Sequence, residues 1–268
     1  VSEGRPIHVT VPFGGYKKWQ LPTYPYPDWS EIFNIIQLRT YLMPIARAYE
    51  HGVILEYYSD EIFVSRMNNI LQEDLDLYTE HFEKLVEYFQ QHMPDNFQIK
   101  LSKIRDQITS EELHRRFDKI IDELRDDWEN VPQKDQQYRL TKAARNYKGD
   151  LDSLSKDERE SVLLESSLVH DAFIYGDWRE GVPWAFDRLM IPVGFRYTGD
   201  WGIHLKSSRS STVQFWVGLG ALVKKGDEYL PTILTYEQYL SKKDDLIEEG
   251  VDGFLQDNPN YTNIYLIE

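Results

Sequence analysis

The first part of the chain alternates between helix-like and strand-like hydrophobic patterns. Apolar residues recur at helical spacing over 29–49, directly after Asp28, which forms a predicted capping box with Glu31. Pro44 is expected to kink or split this helix. A stretch rich in β-branched and aromatic residues, VILEYY at 53–58, then predicts a strand. A helix followed by a strand is the first indication of an α/β fold.

The same alternation continues over the following hundred or so residues. The predicted helices have one apolar face and one charged face, and the predicted strand between them is short and largely apolar. The predicted elements are a helix at 72–92, a strand at 97–104, a helix from Thr109 to about Asn130, and further helical sequence to about Phe173 with a break near Gly149.

The ends of the chain have a different character. Residues 1–27 are rich in Pro, Gly and Tyr and predict an ordered arm or loop that includes the strand-like HVTVPF. From Gly176 onward, β-branched residues and turn formers predict antiparallel hairpins, with a last helix at Thr235 and a terminal strand at 263–268. We therefore predict an α/β fold with a Rossmann-like sheet, flanking helices and an antiparallel, β-rich carboxyl-terminal third. One composite domain is expected over 1–268, helix-rich over 1–175 and strand-rich over 176–268.

Composition narrows the classes of function. The chain has 268 residues and a formal net charge of −15, which disfavours nucleic acid as a partner. It contains no cysteine, which excludes disulfides, thiolate metal sites and a cysteine nucleophile, and favours a reducing cytoplasm. No apolar run approaches the roughly 20 residues of a spanning helix, so no membrane partner is expected.

A short cationic, hydroxyl-rich segment separates two apolar runs in the carboxyl-terminal part. Residues 206–212 read KSSRSST. Guanidinium, ammonium and hydroxyl groups together suit a phosphate dianion. A solvent-facing polar turn is the alternative, although the usual turn residues are absent. The candidate substrate-binding residues here are Lys206, Ser207, Ser208, Arg209 and Ser211.

Two histidines are candidate acid–base groups. His170 is followed by Asp171 near a predicted helix end, and a neighbouring carboxylate can set the protonation of an imidazole. His204 lies two residues before Lys206 and shares its face on a strand. A purely structural hydrogen bond is the alternative for each histidine.

Polar residues also occur where α/β folds bind ligands. Ser59 and Asp60 end the strand at 53–58, and ligands collect at the carboxyl ends of such strands. They are candidates to hold a substrate amine or hydroxyl, or they only cap a turn. FGGYKK at 13–18 includes the candidate Lys17, and its glycines permit close approach of a ligand. It matches neither a P-loop nor a dinucleotide fingerprint.

The segment YRLTKAARNYKGDL carries four cations at spacings of three, Arg139, Lys142, Arg145 and Lys148. They either face a pocket, which makes Arg145 and Lys148 candidate substrate ligands, or pair with the acidic helices, which we favour. HExxH, GxSxG and EF-hand patterns are absent, so no obligatory metal is predicted.

Three segments, in the same order along the chain, resemble the isocyanide (isonitrile) synthase family, which includes pyoverdine and dityrosine biosynthesis enzymes. They are 27–63, 138–151 and 188–222, about half of the chain. The resemblance implies an enzyme that takes the amine of an amino acid, commonly tyrosine or tryptophan, and a carbon from ribulose 5-phosphate, without a metal or organic cofactor. Its partners would be these small molecules.

The resemblance also implies roles for the candidate residues. Segment 206–212 would hold the phosphate, Ser59 and Asp60 would lie near the amine, and His170 or His204 would move protons. Apart from the resemblance, its position beside His170 makes Asp171 a candidate catalytic residue.

The chain departs from the family pattern at several positions. Histidines of the family stand near Ile191–Pro192 and Phe215–Trp216, where this chain has none, and Glu61 replaces a usual glycine. Two alternatives therefore remain, a different nucleotide- or sugar-phosphate transferase and a non-catalytic binding protein. The sequence carries no signal for an oligomeric state.

Overall fold

A computed structural model describes residues 4–59, 61–176, 190–192, 218–252 and 255–268. Backbone contacts divide the chain into two compact units, each built from separate stretches of sequence. The first unit comprises Val1–Ser59, Glu73–Ser102 and Arg188–Glu268, and the second comprises Asp60–Gln72 and Lys103–Asp187. The expectation of one composite domain stays a prediction.

Helices and strands alternate through the first half of the chain, as the sequence predicts. The strands are β1 Ile7–Phe13, β2 Val53–Ser59, β3 Phe97–Lys103, β4 Met190–Pro192, β5 Leu219–Lys225, β6 Glu228–Leu234, β7 Leu246–Gly250 and β8 Asn263–Ile267. The helices are α1 Trp29–Ala48, α2 Glu61–Asn68, α3 Gln72–Gln90, α4 Ser110–Asp126, α5 Gln133–Asn146, α6 Lys156–Tyr175 and α7 Tyr236–Lys242. None of the helices in the described ranges is both long and apolar enough to cross a membrane.

A sheet with the strand order β3-β2-β1-β4 forms the centre of the first unit. β1 runs parallel to β2, with Ile7 opposite Val53 and Phe13 opposite Ser59, and it also runs parallel to β4. The amino-terminal segment predicted as an arm thus supplies an inner strand. The α/β class is confirmed, since helices follow parallel strands along the chain.

Helix α1 packs its apolar residues into the core of the first unit. Asp28 and Glu31 form the predicted capping box at its start. Pro44 lies inside α1, but the helix continues to Ala48 and is not split. Leu42 and Ala46, on either side of the proline, are both buried, and this packing compensates for the hydrogen bond that proline cannot donate.

Aromatic side chains fill the space beside α1. Phe13 lies 4.3 Å from Phe82 between ring centroids and meets Tyr57 edge-on at 5.7 Å. The Tyr57 hydroxyl donates a hydrogen bond to Asn34 Oδ1 at 2.9 Å, so the buried phenol is satisfied.

The carboxyl-terminal sheet has the order β6-β5-β8-β7. β5 with β6 and β7 with β8 are antiparallel, as predicted, but β5 and β8 are parallel, so the sheet is mixed rather than antiparallel throughout. Gly226, with a φ of +67°, makes the turn between β5 and β6. The last helix begins at Thr235, which forms the expected capping box with Gln238.

The second unit packs α2, α4, α5 and α6 together. Phe63 stacks on Phe117 with centroids 4.2 Å apart and lies 5.1 Å from Phe173. Gly149, with a φ of +155°, lies in the break predicted between the helices. Helix α2 was not predicted, because its eight residues present only a short apolar period.

Candidate functional site

Several predicted site residues lie outside the described residues. They are Asp60, His204, Lys206, Ser207, Ser208, Arg209 and Ser211. Their assignments as catalytic or substrate-binding residues therefore stay predictions. Among the described residues, the predicted histidine–aspartate pair lies in the second unit.

His170 and Asp171 lie near the end of α6 and form a chain of polar contacts with α5. Lys142 Nζ lies 2.7 Å from His170 Nε2, and His170 Nδ1 lies 3.3 Å from Asp171 Oδ1. The other oxygen of Asp171 accepts a hydrogen bond from Arg139 Nη1 at 2.5 Å. We call these four residues the His170 cluster. The Arg139–Asp171 pair agrees with the interpretation that cations of α5 serve the acidic helices.

This geometry constrains the histidine. A lysine ammonium has donors and no acceptor, so the 2.7 Å contact makes Nε2 of His170 an acceptor and leaves its proton on Nδ1, which faces Asp171. Asp171 is buried, whereas the His170 side chain is 30% exposed. Arg139 fixes the carboxylate, and the imidazole keeps access to solvent. Such an arrangement can accept and return a proton at Nε2.

Arg145 lies in the last turn of α5 and Lys148 lies just beyond its end, both close in sequence to the His170 cluster. The Lys148 backbone N–H donates to Asn68 O at 2.8 Å, and Asn69 Nδ2 donates to Lys148 O at the same distance. Lys148 thus joins α5 to the end of α2 through its backbone. The substrate-binding roles of both side chains stay predictions.

Ser59 and Lys17 are both fully buried in the first unit. Ser59 is the last residue of β2. The ammonium group of Lys17 lies 2.9 Å from Asp28 Oδ1, 3.0 Å from Glu31 Oε1 and 2.7 Å from Ser30 Oγ. Lys17 therefore ties the amino-terminal segment to the first turn of α1. Its role as a substrate ligand stays a prediction.

The Lys17 cluster, formed by Lys17, Asp28, Ser30, Glu31 and Tyr78, is electrostatically unbalanced. It holds two carboxylates and one ammonium group away from water. Burial raises the pKa of Glu31 to about 7, although the charge of Lys17 opposes the rise. The Tyr78 hydroxyl donates to Glu31 Oε1 at 2.8 Å, and burial raises its own pKa. Only the capping-box part of this cluster could be found from sequence.

A further buried carboxylate lies on the first sheet. Glu56 of β2 meets His8 Nε2 of β1 at 2.5 Å, and it accepts a hydrogen bond from Ser102 of β3 at 2.5 Å. Lys100 Nζ lies 3.3 Å from the same carboxylate. Burial would raise the pKa of Glu56, but the hydrogen bonds and Lys100 lower it to about 2. This site was not identified from the sequence, although a charged residue, Glu56, inside the apolar stretch VILEYY could have indicated it.

The second unit also contains a cavity of about 390 Å³. Polar and charged residues make up most of its lining and include two arginines. The lining residues are Glu61, Ile62, Ser65, Arg66, Gln72, Arg105, Ser110 and His114. Glu61 and Arg105, which follow β2 and β3 in the chain, form an ion pair of 2.9 Å between Glu61 Oε1 and Arg105 Nε. We call this space the second-unit cavity.

Arg66 is held in a fixed orientation at the second-unit cavity. Its Nε and Nη2 donate to Glu165 Oε1 at 2.9 and 2.7 Å, and its Nη1 donates to Asp118 Oδ1 at 2.5 Å. Burial would lower the pKa of Arg66, but these two carboxylates raise it. The guanidinium is therefore a permanently charged, positioned donor.

No group of three or more metal-ligating side chains occurs within the described ranges.

Comparison with known proteins finds a similar fold in a solved structure. No family model and no curated protein matches the sequence. The structure is similar to the crystal structure of the PvcA protein from Pseudomonas aeruginosa, with a TM-score of 0.69 and 14% identity, over 100% of this chain and 87% of that chain. The chain has a PvcA-like α/β fold.

Two further solved structures are similar at lower scores. A CDPS from Fluoribacter dumoffii gives a TM-score of 0.33 and 13% identity, over 65% of this chain and 72% of that chain. AlbC, a cyclodipeptide synthase from Streptomyces noursei, gives 0.32 and 13%, over 70% and 82%. At these scores, neither likeness supports a conclusion about this chain.

Proposed function

We propose that the chain is an isonitrile-synthase-like enzyme that condenses the amine of an amino acid with the carbonyl group of ribulose 5-phosphate. The observation that carries the proposal is the PvcA-like fold along the whole chain. The three sequence segments that resemble the isocyanide synthase family support it. The His170 cluster supplies the proton-transfer group that such a condensation needs.

The first step of this reaction sets the demands on the site. The amine nitrogen attacks the carbonyl carbon, the carbonyl oxygen takes up a proton and the nitrogen loses one, which gives a carbinolamine. Loss of the hydroxyl group as water, with a second proton from nitrogen, then gives an imine. His170 is proposed to accept protons from nitrogen at Nε2 and to return them to the departing oxygen. Asp171 and Arg139 hold the imidazole in place.

Product analysis tests this proposal. The purified chain is incubated with ribulose 5-phosphate and pooled amino acids, and new nitrogen-containing products are identified by mass spectrometry. His170→Gln is expected to form the product about a hundredfold more slowly, while His92→Gln forms it at the rate of the unaltered chain. His92 is the matched control because it lies in the first unit, beyond α3, and bonds only locally, to Tyr88 O at 2.8 Å. No new product from the unaltered chain would refute the proposal.

A further inference from the structure

The residues that line the second-unit cavity offer several hydrogen-bonding groups to a small ligand. Ile62 is the one aliphatic side chain among its lining residues, and hydroxyl, amide, imidazole, carboxylate and guanidinium groups make up the others. Pockets for aromatic or aliphatic groups are instead lined mainly by hydrophobic and aromatic side chains. A ligand with many hydroxyl groups matches this mixed set of donors and acceptors.

Arg66 adds a preference for an anionic oxygen. A guanidinium has five N–H donors, and Glu165 and Asp118 take three of those of Arg66. Within the described part of the chain, one N–H on each of Nη1 and Nη2 is left for a ligand at the cavity. Paired N–H groups of arginine match the oxygens of phosphate or carboxylate. Because two carboxylates already hold this arginine in one orientation, its side chain loses little conformational entropy when a ligand binds.

The overall charge around the cavity decides how the anion is attracted. Glu61 offsets Arg105, and Asp118 and Glu165 offset Arg66 and Arg125. The attraction therefore comes from directed N–H donors at short range and not from a strong positive field. Hydroxyls of Ser65 and Ser110 supply further donors for an anion or a sugar.

We propose that the second-unit cavity binds a small sugar phosphate, with Arg66 on the phosphate and Ser65, Gln72 and Ser110 toward the sugar hydroxyls. The inference rests on the proposed function for the identity of the sugar phosphate as ribulose 5-phosphate. It assigns a subsite to residues that the sequence did not single out. Lys206 and Arg209 stay a separate prediction for the same substrate.

Binding measurements on matched arginine variants test the inference. Ribulose 5-phosphate, free ribose, inorganic phosphate and L-tyrosine are titrated calorimetrically into the full chain. Arg66→Lys keeps the charge and removes the paired donors, so we expect the Kd for ribulose 5-phosphate to rise about tenfold. Arg125→Lys is the control, because Arg125 shares Glu165 at 2.7 Å but does not line the cavity. Its Kd is expected to match the unaltered chain.

A second variant keeps the test decisive if Arg66→Lys does not fold. Ser110 is exposed at the first position of α4 and lines the cavity, so Ser110→Phe fills the space with little strain on the core. Because the phenyl ring would occupy space that the ligand needs, we expect Ser110→Phe to weaken ribulose 5-phosphate binding about tenfold or more. Ribulose 5-phosphate binding that is unchanged in both variants overturns the inference, and so does weakened binding of L-tyrosine instead.

The outcomes separate this inference from the proposed function. If product still forms and the cavity variants bind ribulose 5-phosphate like the unaltered chain, the subsite is wrong and the function stands. If the cavity variants lose binding but the unaltered chain makes no product, the subsite stands and the function is wrong. If the unaltered chain binds none of the phosphates, the subsite inference is overturned.

Discussion

Lys142 Nζ lies 2.7 Å from His170 Nε2, and this contact joins α5 to α6 at the one predicted catalytic histidine among the described residues. The cation makes Nε2 an acceptor, and the proton on Nδ1 faces Asp171, whose second oxygen is held by Arg139. A histidine flanked in this way has a defined tautomer before any substrate arrives. A substrate amine would replace the lysine as the donor to Nε2.

Loss of the imidazole should therefore reduce catalysis more than stability. We expect His170→Gln to lower the rate of product formation about a hundredfold, because general acid–base transfer contributes on this scale. The side chain is 30% exposed, so its replacement should leave the unfolding midpoint in urea nearly unchanged. Initial rates and urea curves of the same preparations check both parts. A variant with full activity would exclude His170 as the proton-transfer group.

The Lys17 cluster should make a large contribution to stability. Lys17→Met leaves Asp28 and Glu31 buried without their cation, and we expect a loss of about 3–5 kcal/mol in the free energy of unfolding. Lys119→Met is the control, since Lys119 is largely exposed and lies 4.0 Å from Glu123. Urea denaturation followed by circular dichroism measures both. Equal stabilities of the two variants would contradict a structural role for Lys17.

The free energy of unfolding should change with pH because Glu31 titrates at a higher pH in the folded protein than in the unfolded chain. Burial raises its pKa from 4.5 in the unfolded chain to about 7 in the folded protein, so between these values the folded state binds more protons. The contribution is complete below the lower value and is lost as the pH rises through the higher one. We expect the unaltered protein to lose about 3 kcal/mol from this group across the window.

Glu31→Gln isolates that contribution. Glutamine keeps the capping-box geometry but does not titrate in this range, so the variant should show a flatter plot of unfolding free energy against pH. The difference between the two plots, measured by urea titrations from acid to neutral pH, gives the effect of Glu31 alone. Parallel plots would mean that Glu31 titrates normally in the fold.

Local signals predicted much of the fold, and long-range contacts account for what was missed. The capping boxes at Asp28 and Thr235 depend on neighbouring residues, so they could be recognised in the sequence. Helix α2 was missed because its apolar pattern is too short to recognise. The packing of Phe63 on Phe117, which stabilises this helix, is a contact between residues far apart in the chain. The parallel pairing of β5 with β8 joins residues far apart in the chain, which hairpin patterns cannot indicate.

The candidate site shows the same division. His170 and Asp171 are adjacent in sequence and could be identified as a pair. Their partners on α5 were named only as a cationic face with two possible roles. The lining of the second-unit cavity combines residues from separate stretches, such as Glu61, Arg105 and His114, and no spacing in the sequence brings these together.

Among the glycines that the structure describes, Gly52 should be the least able to accept a side chain. Its φ is +71°, and an added Cβ would lie 1.7 Å from Asn96 O. We expect Gly52→Ala to cost at least about 2 kcal/mol in unfolding free energy. Gly226→Ala has a similar φ of +67° with nothing within 4 Å, so it should cost only about 1 kcal/mol of backbone strain. Urea midpoints of the two variants check the order.

Formation of a bond between the amine nitrogen and a carbon of the sugar phosphate tests the proposed function most directly. The full chain is incubated with uniformly ¹³C-labelled ribulose 5-phosphate and a ¹⁵N-labelled amino acid, and the products are analysed by mass spectrometry. We predict a product in which the labelled nitrogen is bonded to a labelled carbon of the former sugar phosphate, and which forms about a hundredfold more slowly with His170→Gln. Labelled nitrogen that is recovered only in the starting amino acid, with intact ribulose 5-phosphate, would contradict the proposed function.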